Sequence, residues 1–440
     1  MTILSSAPRQ SEFLPILCTI VHFQLAAGDI DQVLGLAEGE TQLLLRGLHS
    51  VLNVPSEKSH ISSHHASFLD FLHNPDRSGN FCVSTSSRQI SLARDLLQFC
   101  AGPFQRRYIC LLFPLLRFIV SLPPSGAVAE LFPLIGSINP EYIFDRSPYQ
   151  YKRGFDFSSI TSWLKKTRSA PTDVIQLWED YAFMLSIDTM PRWTESPPVE
   201  HIISPSPELF RILVTLGLLR YHLSKLRPKL DLTWTDLRDT LCSLRPKVVA
   251  PEHTPPIHRP QAAYSWVARD LALHFIRKIV NNYVDTEGGV NPSGSRDVML
   301  LYNQHCSPYG YYPFIRNIEE AYTRSQDRLV WDIAYLVRLS PPCPLLHREL
   351  WRIPPSEIWS SRPSGNVLIH HVFKWLEFFP DSTMELITFW EQAAPDPEPC
   401  HDSTFNFDPD VQERYWRDLV GRHNNTIGRL HLPDSFKIDL

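Results

Sequence analysis

Histidine and cysteine are the side chains of this sequence that come closest to a recognisable chemical site. Mixed cysteine and histidine ligands are typical of zinc. The places where such residues lie close together along the chain are His305-Cys306, Cys343 with His347, His370-His371 and Cys400-His401. Their spacing matches no zinc-finger pattern, and 18 histidines in 440 residues bring some of them beside cysteines by chance. We therefore predict no metal site.

Phosphate-binding and nucleophile motifs are the next possibility for chemistry. The sequence contains no Gly-x-Gly-x-x-Gly, His-Glu-x-x-His or Gly-x-Ser-x-Gly pattern. The segment from Gly289 to Arg296 has the glycine spacing of a Walker A loop, but it lacks the lysine that reaches the β- and γ-phosphates. It also follows a predicted helix, whereas a Walker A loop follows a strand. The segment is predicted to be a surface loop, and the chain is predicted not to be an enzyme.

Composition excludes several kinds of partner. Lys and Arg number 42 against 47 Asp and Glu, and the net charge of −5 gives no overall attraction to nucleic acid or to an anionic membrane. The apolar run Phe13–Val21 lacks the flanking residues of a secretory signal, and Tyr108–Leu122 is too short and too interrupted for a membrane span. We predict that both are buried helices. The eight cysteines form no Cys-x-x-Cys pair, which is typical of reduced thiols. We expect a cytoplasmic protein with no membrane association.

The N-terminal elements indicate a compact module. Apolar periodicity predicts three short helices at residues 13–24, 30–36 and 38–49. Val51–Val54 and Ile61–Ser63 are short extended runs on either side of a polar turn, and they predict a small β-hairpin. Three closely connected helices followed by a hairpin make the winged-helix pattern.

Winged helices often bind DNA through the third helix, and the charges here argue against that use. Residues 29 to 49 carry four acidic side chains against one basic side chain: Asp29, Asp31, Glu38 and Glu40 against Arg46. Phosphates would be repelled by this face. We keep a winged-helix nucleic-acid-binding protein as the alternative to a regulatory or protein-interaction function. A metal-dependent enzyme is a less favoured alternative.

The rest of the chain is predicted to be irregularly α-helical, so the fold class is mainly α. Ser206-Pro207-Glu208 predicts a helix start, with the helix running to about Lys225, and Asp408-Pro409 with Gly421 brackets a last helix. Proline-rich and acidic stretches suggest linkers. The predicted plan is a disordered N-terminus (1–10), a winged-helix-like module (11–102), a helical domain (103–245), a Pro-rich linker (246–260), a helical domain (261–393), an acidic linker (394–408) and a C-terminal helix and tail (409–440).

One stretch resembles a known family. The segments that carry the resemblance are Phe13–Val21, Ile30–Leu36, Leu43–Val54, His65–Leu72 and Asn74–Arg77. Their order and spacing resemble the winged-helix region downstream of the NTPase core in basidiomycete fungal NACHT proteins, which belong to the STAND class of signalling NTPases. The resemblance covers roughly residues 10 to 100, and more loosely the helical region after them. The chain is thus expected to be the downstream part of a signalling switch without its NTPase core.

The resemblance also implies roles for particular residues. In that family a histidine at the start of the helix after the wing contacts the β-phosphate of bound ADP, and by position it corresponds to His65. The surrounding His64-His65-Ala66-Ser67 departs from the family's Met-His-Asp pattern. ADP or ATP would be bound only through the absent core, so no cofactor is expected for the chain itself.

The same resemblance predicts a protein partner. In the family this module packs on the NTPase core, so the equivalent face is expected to bind a second copy of the chain or an intact NACHT relative. The predicted interface residues are Leu44, Leu48, His65 and Phe68, within residues 29 to 73. The expected function is a non-catalytic regulatory or protein-interaction role in nonself-recognition or cell-death signalling.

Overall fold

The computed structural model describes residues 4, 9–23, 25–55, 59–145, 157–189, 206–219, 221–245, 262–287, 325–359, 362–379, 384–394, 408–429 and 437–438. Within these residues the protein is mainly α-helical, which confirms the predicted class, and its strands form a short two-stranded sheet. The chain divides into two compact units. The first unit consists of Met1–Asp188, His222–Arg227 and Thr233–Cys242, and the second consists of Thr189–Tyr221, Pro228–Leu232 and Ser243–Leu440. The two predicted linkers lie outside the described residues except for Ala394 and Asp408, so the predicted domain plan stays a prediction.

The first unit begins with three helices, a hairpin and a fourth helix. These elements are α1 (Gln10–His22), α2 (Ala27–Val33), α3 (Glu40–Leu45), β1 (Leu52–Asn53), β2 (Ser62–Ser63) and α4 (Ala66–His73). The strands are antiparallel, with Leu52 opposite Ser63. A short 3₁₀ turn, Arg46–Leu48, follows α3. These boundaries fall within the helix and hairpin segments that the sequence predicted or next to them.

The start of α3 is fixed by a buried carboxylate. Gly39 precedes the helix with a left-handed φ of 81°, a conformation that favours glycine. The two carboxylate oxygens of Asp31 accept hydrogen bonds from the N–H groups of Gly39 at 2.8 Å and Thr41 at 2.7 Å. Asp31 is 4% exposed, so these bonds compensate its burial. One acidic residue of the stretch whose charge argued against DNA binding is therefore used inside the fold.

The remaining helices follow in chain order. They are α5 (Pro75–Ser78), α6 (Ser86–Ala101), α7 (Leu112–Ser121), α8 (Phe132–Gly136), α9 (Glu141–Phe144), α10 (Phe157–Lys166), α11 (Thr172–Thr189), α12 (Pro207–Gly217), α13 (Leu223–Lys229), α14 (Trp234–Cys242), α15 (Ala262–Glu287), α16 (Ser325–Leu339), α17 (Pro344–Leu350), α18 (Pro355–Ile358), α19 (Arg362–Leu376), α20 (Glu385–Gln392) and α21 (Pro409–Arg429). Among the described residues, no helix has both the length and the apolar character needed to span a bilayer.

Helix α6 is the centre of the first unit's N-terminal half. It packs against α1, α2, α7 and α8. Its buried residues include Ile90, Ala93, Leu97 and Cys100, whose spacing of three or four positions puts them on one helical face. The chain turns away at Gly102, directly after the helix. The N-terminal elements therefore share their core with the helices that follow them.

The second unit is organised around α16. This helix packs against α15 and α19, and Ile333, Ala334 and Val337 are fully buried in its core. Trp375 of α19 is also fully buried, and its indole N–H donates to the carbonyl oxygen of Ser340 at 2.9 Å.

A tryptophan lies against the first turn of α19. A Cβ atom placed on Gly365 would lie 2.6 Å from the ring of Trp359, so only glycine admits this approach. The indole N–H of Trp359 donates to the carbonyl oxygen of Trp390 in α20 at 2.9 Å. Trp359 therefore links α19 to α20.

Candidate interaction site

The predicted interface leucines lie inside the first unit. Leu44 and Leu48 are 3% and 2% exposed, whereas Leu43 is 62% exposed. The cause is that one turn of helix directs Leu44 and Leu45 towards α1 and the core, which leaves Leu43 on the outer side. This corrects the predicted pair: an interface on this face would use Leu43 in place of Leu44 and Leu48.

His65 and Phe68 lie together at the start of α4. His65 is the N-cap residue, and its carbonyl oxygen accepts hydrogen bonds from the N–H of Phe68 at 3.1 Å and from the hydroxyl of Ser63 at 2.7 Å. The imidazole makes no capping hydrogen bond and is exposed, while Phe68 is half-buried. The structure thus puts the two residues on one helical turn at the surface, and the predicted phosphate contact of His65 stays a prediction.

Part of the face predicted to be uncovered is occupied by the chain itself. The hydroxyl of Tyr108 donates to Oε1 of Gln32 at 2.6 Å, and Nε2 of Gln32 donates to Oε1 of Gln105 at 2.6 Å. Arg107 forms an ion pair with Asp29 at 2.6 Å. Residues 105–108 therefore pack on α2, and Arg107 neutralises one of its acidic side chains.

The histidine and cysteine pairs singled out in the sequence do not converge in the part of the chain that the structure describes. No group of three or more His, Cys, Asp or Glu side chains there is arranged to hold a metal ion. Cys343 is the N-cap residue of α17, and His347 lies in its last turn. His305-Cys306, Cys400-His401 and the loop from Gly289 to Arg296 lie outside the described residues.

The pair His370-His371 belongs instead to a polar cluster between α16, α19 and α21. Nη1 and Nη2 of Arg338 donate to Oε1 and Oε2 of Glu413 at 2.6 and 2.8 Å. Nε2 of His370 lies 3.0 Å from Oε1 of the same carboxylate, and Nη1 of Arg338 lies 3.2 Å from Nδ1 of His371. We call these four residues the Arg338 cluster. Its two-point guanidinium–carboxylate pair fixes both distance and orientation.

The electrostatics of the Arg338 cluster favour a structural role. Hydrogen bonds from Arg338 lower the pKa of Glu413 to about 2. Burial, followed by the charge of Arg338, lowers the pKa of His371 to about 3, so that ring is neutral near pH 7. An effective general base has a pKa near the working pH, and neither group meets that condition. The arrangement suits a cluster that links three helices, and it does not suit proton transfer near pH 7.

The tautomer of His371 follows from its neighbour. Because Arg338 can only donate, Nδ1 of His371 must accept, and the proton of the neutral ring lies on Nε2. Nε2 is fully buried and has no acceptor among the described residues. The ring packs edge-on against Tyr335, with centroids 5.1 Å apart, and also contacts Trp416. The aromatic surroundings explain why the ring stays uncharged.

The second unit presents most of the exposed large apolar side chains. Of nine such side chains in the described residues, seven lie between residues 345 and 411. We call these seven, which are grouped here by their position in the chain, the C-terminal apolar surface: Leu345, Trp351, Phe373, Phe378, Met384, Phe389 and Val411. The rings of Trp351 and Phe389 contact each other, with centroids 5.4 Å apart, so α20 and the end of α17 contribute to one apolar area.

Two arginines flank Trp351. The side chains of Arg348 and Arg352 are 73% and 54% exposed, and both approach the buried carboxylate of Glu349, at 3.8 and 2.7 Å. Exposed tryptophan beside arginine is the composition of binding hot spots. Sequence reasoning missed this area because a tryptophan or phenylalanine in a helical pattern is usually a core residue.

Comparison of the chain with models of protein families, with characterised proteins and with solved structures gives no match. The resemblance of residues 10 to 100 to NACHT proteins therefore stays a prediction.

Proposed function

We propose that the chain is a non-catalytic protein-interaction protein that binds its partner through the C-terminal apolar surface. The observation that carries this proposal is the concentration of exposed large apolar side chains between residues 345 and 411, with Trp351 and Phe389 in ring contact. Each square ångström of apolar area removed from water stabilises a complex by about 25 cal/mol, and concentrated exposed apolar side chains mark protein-binding sites.

The N-terminal elements fit a second part of the proposal. We infer a winged-helix module of the NACHT type, supported by the order of α1, α2, α3, the β1–β2 hairpin and α4, and by the resemblance of residues 10 to 100. The chain would then act as a cytoplasmic regulatory part of a signalling switch. In a complex with a nucleotide-loaded NACHT core, the exposed imidazole of His65 would be the group that meets phosphate.

The partner class is protein. The ion pair between Asp29 and Arg107 and the buried capping role of Asp31 show that acidic side chains of the N-terminal module serve its own fold. The positive charge of Arg107 is compensated by Asp29, so this pair adds no net positive charge for nucleic acid. A second copy of the chain and an intact NACHT relative are the two partners to test first.

The test removes the two contacting rings. In the double variant Trp351→Ala/Phe389→Ala, self-association or binding to a separately expressed NACHT core should weaken by roughly 1 to 4 kcal/mol, the range of hot-spot truncations. Sedimentation velocity over a concentration series measures self-association, and calorimetry measures binding to the core. The matched control is Trp266→Ala, because Trp266 is 51% exposed but belongs to α15 and is not one of the seven residues.

Two outcomes contradict the proposal. One is a wild-type chain that stays monomeric at all concentrations and shows no heat of binding to the core. The other is an equal loss of association in the double variant and in Trp266→Ala, which would mean that any exposed ring acts alike. His65→Ala, measured only in the presence of an ADP-loaded core, separately tests the nucleotide contact.

A further inference from the structure

Residues 437–438 lie beside α21, and Asn424 of that helix contacts Ile438. Nδ2 of Asn424 donates to the carbonyl oxygen of Ile438 at 2.8 Å, and Oδ1 of Asn424 accepts from the N–H of Ile438 at 2.7 Å. Both hydrogen bonds of the side-chain amide therefore reach the backbone of one residue. Asn424 is half-buried, so solvent competes for these bonds only in part.

This pairing reproduces what a neighbouring β-strand would offer. In an antiparallel ladder a residue exchanges both its N–H and its C=O with one partner residue, and recognition of an added strand uses these main-chain bonds. A side-chain amide has a donor and an acceptor at fixed separation, whereas a carboxylate can only accept. Asn424 therefore recognises the backbone of Ile438, and neither hydrogen bond involves the Ile438 side chain.

We propose that Asn424 is the anchor of an intramolecular peptide-binding site on α21, and that its occupant is the chain's own tail at Ile438. The site uses none of the residues of the C-terminal apolar surface, so it stands or falls independently of the proposed function. Its effect is to hold the segment at Ile438 against α21.

Hydrogen exchange on the 440-residue chain tests the site at the backbone N–H of Ile438, which donates to Oδ1 of Asn424. In Asn424→Ala both bonds are lost, and exchange at the Ile438 amide should accelerate by about tenfold or more. Asn424→Asp keeps the shape and the acceptor but loses the donor, so protection should be intermediate. Asn425→Ala is the matched control, because Asn425 is the next residue on the helix and is exposed.

The variants distinguish a loss of the whole fold from a loss of the contact between Asn424 and Ile438. Thermal unfolding of each variant shows whether the chain is still folded, and the nearly isosteric Asn424→Asp variant keeps the test valid if the alanine variant is not. Carboxypeptidase digestion gives a second readout, with release of residues through Ile438 faster in Asn424→Ala than in Asn425→Ala. Unchanged exchange and digestion in both Asn424 variants, or an equal change in Asn425→Ala, would overturn the proposal.

Discussion

The N-terminal module, α1 to α4 with its hairpin, and the C-terminal apolar surface treat their large apolar side chains in opposite ways. Among the described residues of the module, Leu43 is the one large apolar side chain that is exposed. The C-terminal apolar surface contains seven such side chains. The leucine-rich run Leu43–Leu45 is the more apolar sequence and suggests an interface, yet two of its three leucines are buried. Local richness in leucine therefore identifies a core more reliably than an interface.

The largest expected effect is the difference in the free energy of unfolding between Leu44→Ala and Leu43→Ala. Leu44→Ala should lower the free energy of unfolding by about 2 to 5 kcal/mol, because the buried side chain leaves a cavity. Leu43→Ala should change it by less than about 0.5 kcal/mol, as is usual at exposed positions. Urea denaturation of both variants measures the difference. Equal effects at the two positions would reverse the assignment of core and surface in α3.

An intermediate effect is the loss of folding stability at acid pH that arises from His371. His371 stays neutral in the folded chain down to a pKa of about 3, while in the unfolded chain it takes up a proton near pH 6.5. The unfolded state thus binds more protons between these values, so stability is complete above pH 6.5 and falls as pH decreases towards 3. The slope is up to about 1.4 kcal/mol per pH unit.

His22 in the first unit acts with the same sign over a narrower range. Burial lowers its pKa to about 4, so its contribution is lost between pH 6.5 and 4. Denaturation at several pH values compares the wild type with His371→Gln and His22→Gln, with the exposed His49→Gln as control. A slope below pH 4 that persists in His371→Gln would assign it to another group, with Glu413 the first candidate since its pKa is about 2.

The smallest expected effects compare a fully buried with a half-buried carboxylate of the N-terminal module. Asp31→Asn should destabilise by roughly 1 to 2 kcal/mol, because an amide can accept only one of the two backbone N–H bonds well. Asp29→Asn, which weakens the pair between the half-buried Asp29 and the exposed Arg107, should cost about 0 to 1 kcal/mol. Thermal or chemical denaturation distinguishes the two. A larger loss at Asp29 would mean that residues 105–108 depend on this pair to pack on α2.

Local signals in the sequence predicted local structure well. The hydroxyl of Ser206 accepts from the N–H of Leu209 at 3.2 Å, which confirms the predicted start of α12. The predicted ends were wrong: α12 ends at Gly217 rather than near Lys225, and α21 continues through Gly421 to Arg429. Glycine and charge patterns bias a helix end, but packing along the whole helix decides where it falls.

The tertiary groupings could not be predicted in the same way. Arg338 and Glu413 are 75 residues apart, and no spacing rule connects them. The exposure of Trp351 depends on which face of its helix the core uses, and the sequence pattern of an aromatic residue is the same on either side. The sequence thus specified the mainly α class and many helix positions, while the polar cluster and the C-terminal apolar surface emerge only from the packing of distant segments.

The contact between Trp359 and Gly365 has a consequence for how this protein tolerates substitution. Glycine to alanine is among the smallest changes a helix can undergo, yet at this buried position the added methyl group would lie 2.6 Å from an aromatic ring. The indole cannot retreat without giving up its hydrogen bond to the carbonyl of Trp390. In a saturation library Gly365 should therefore behave as an all-or-none position, depleted even for the smallest side chain.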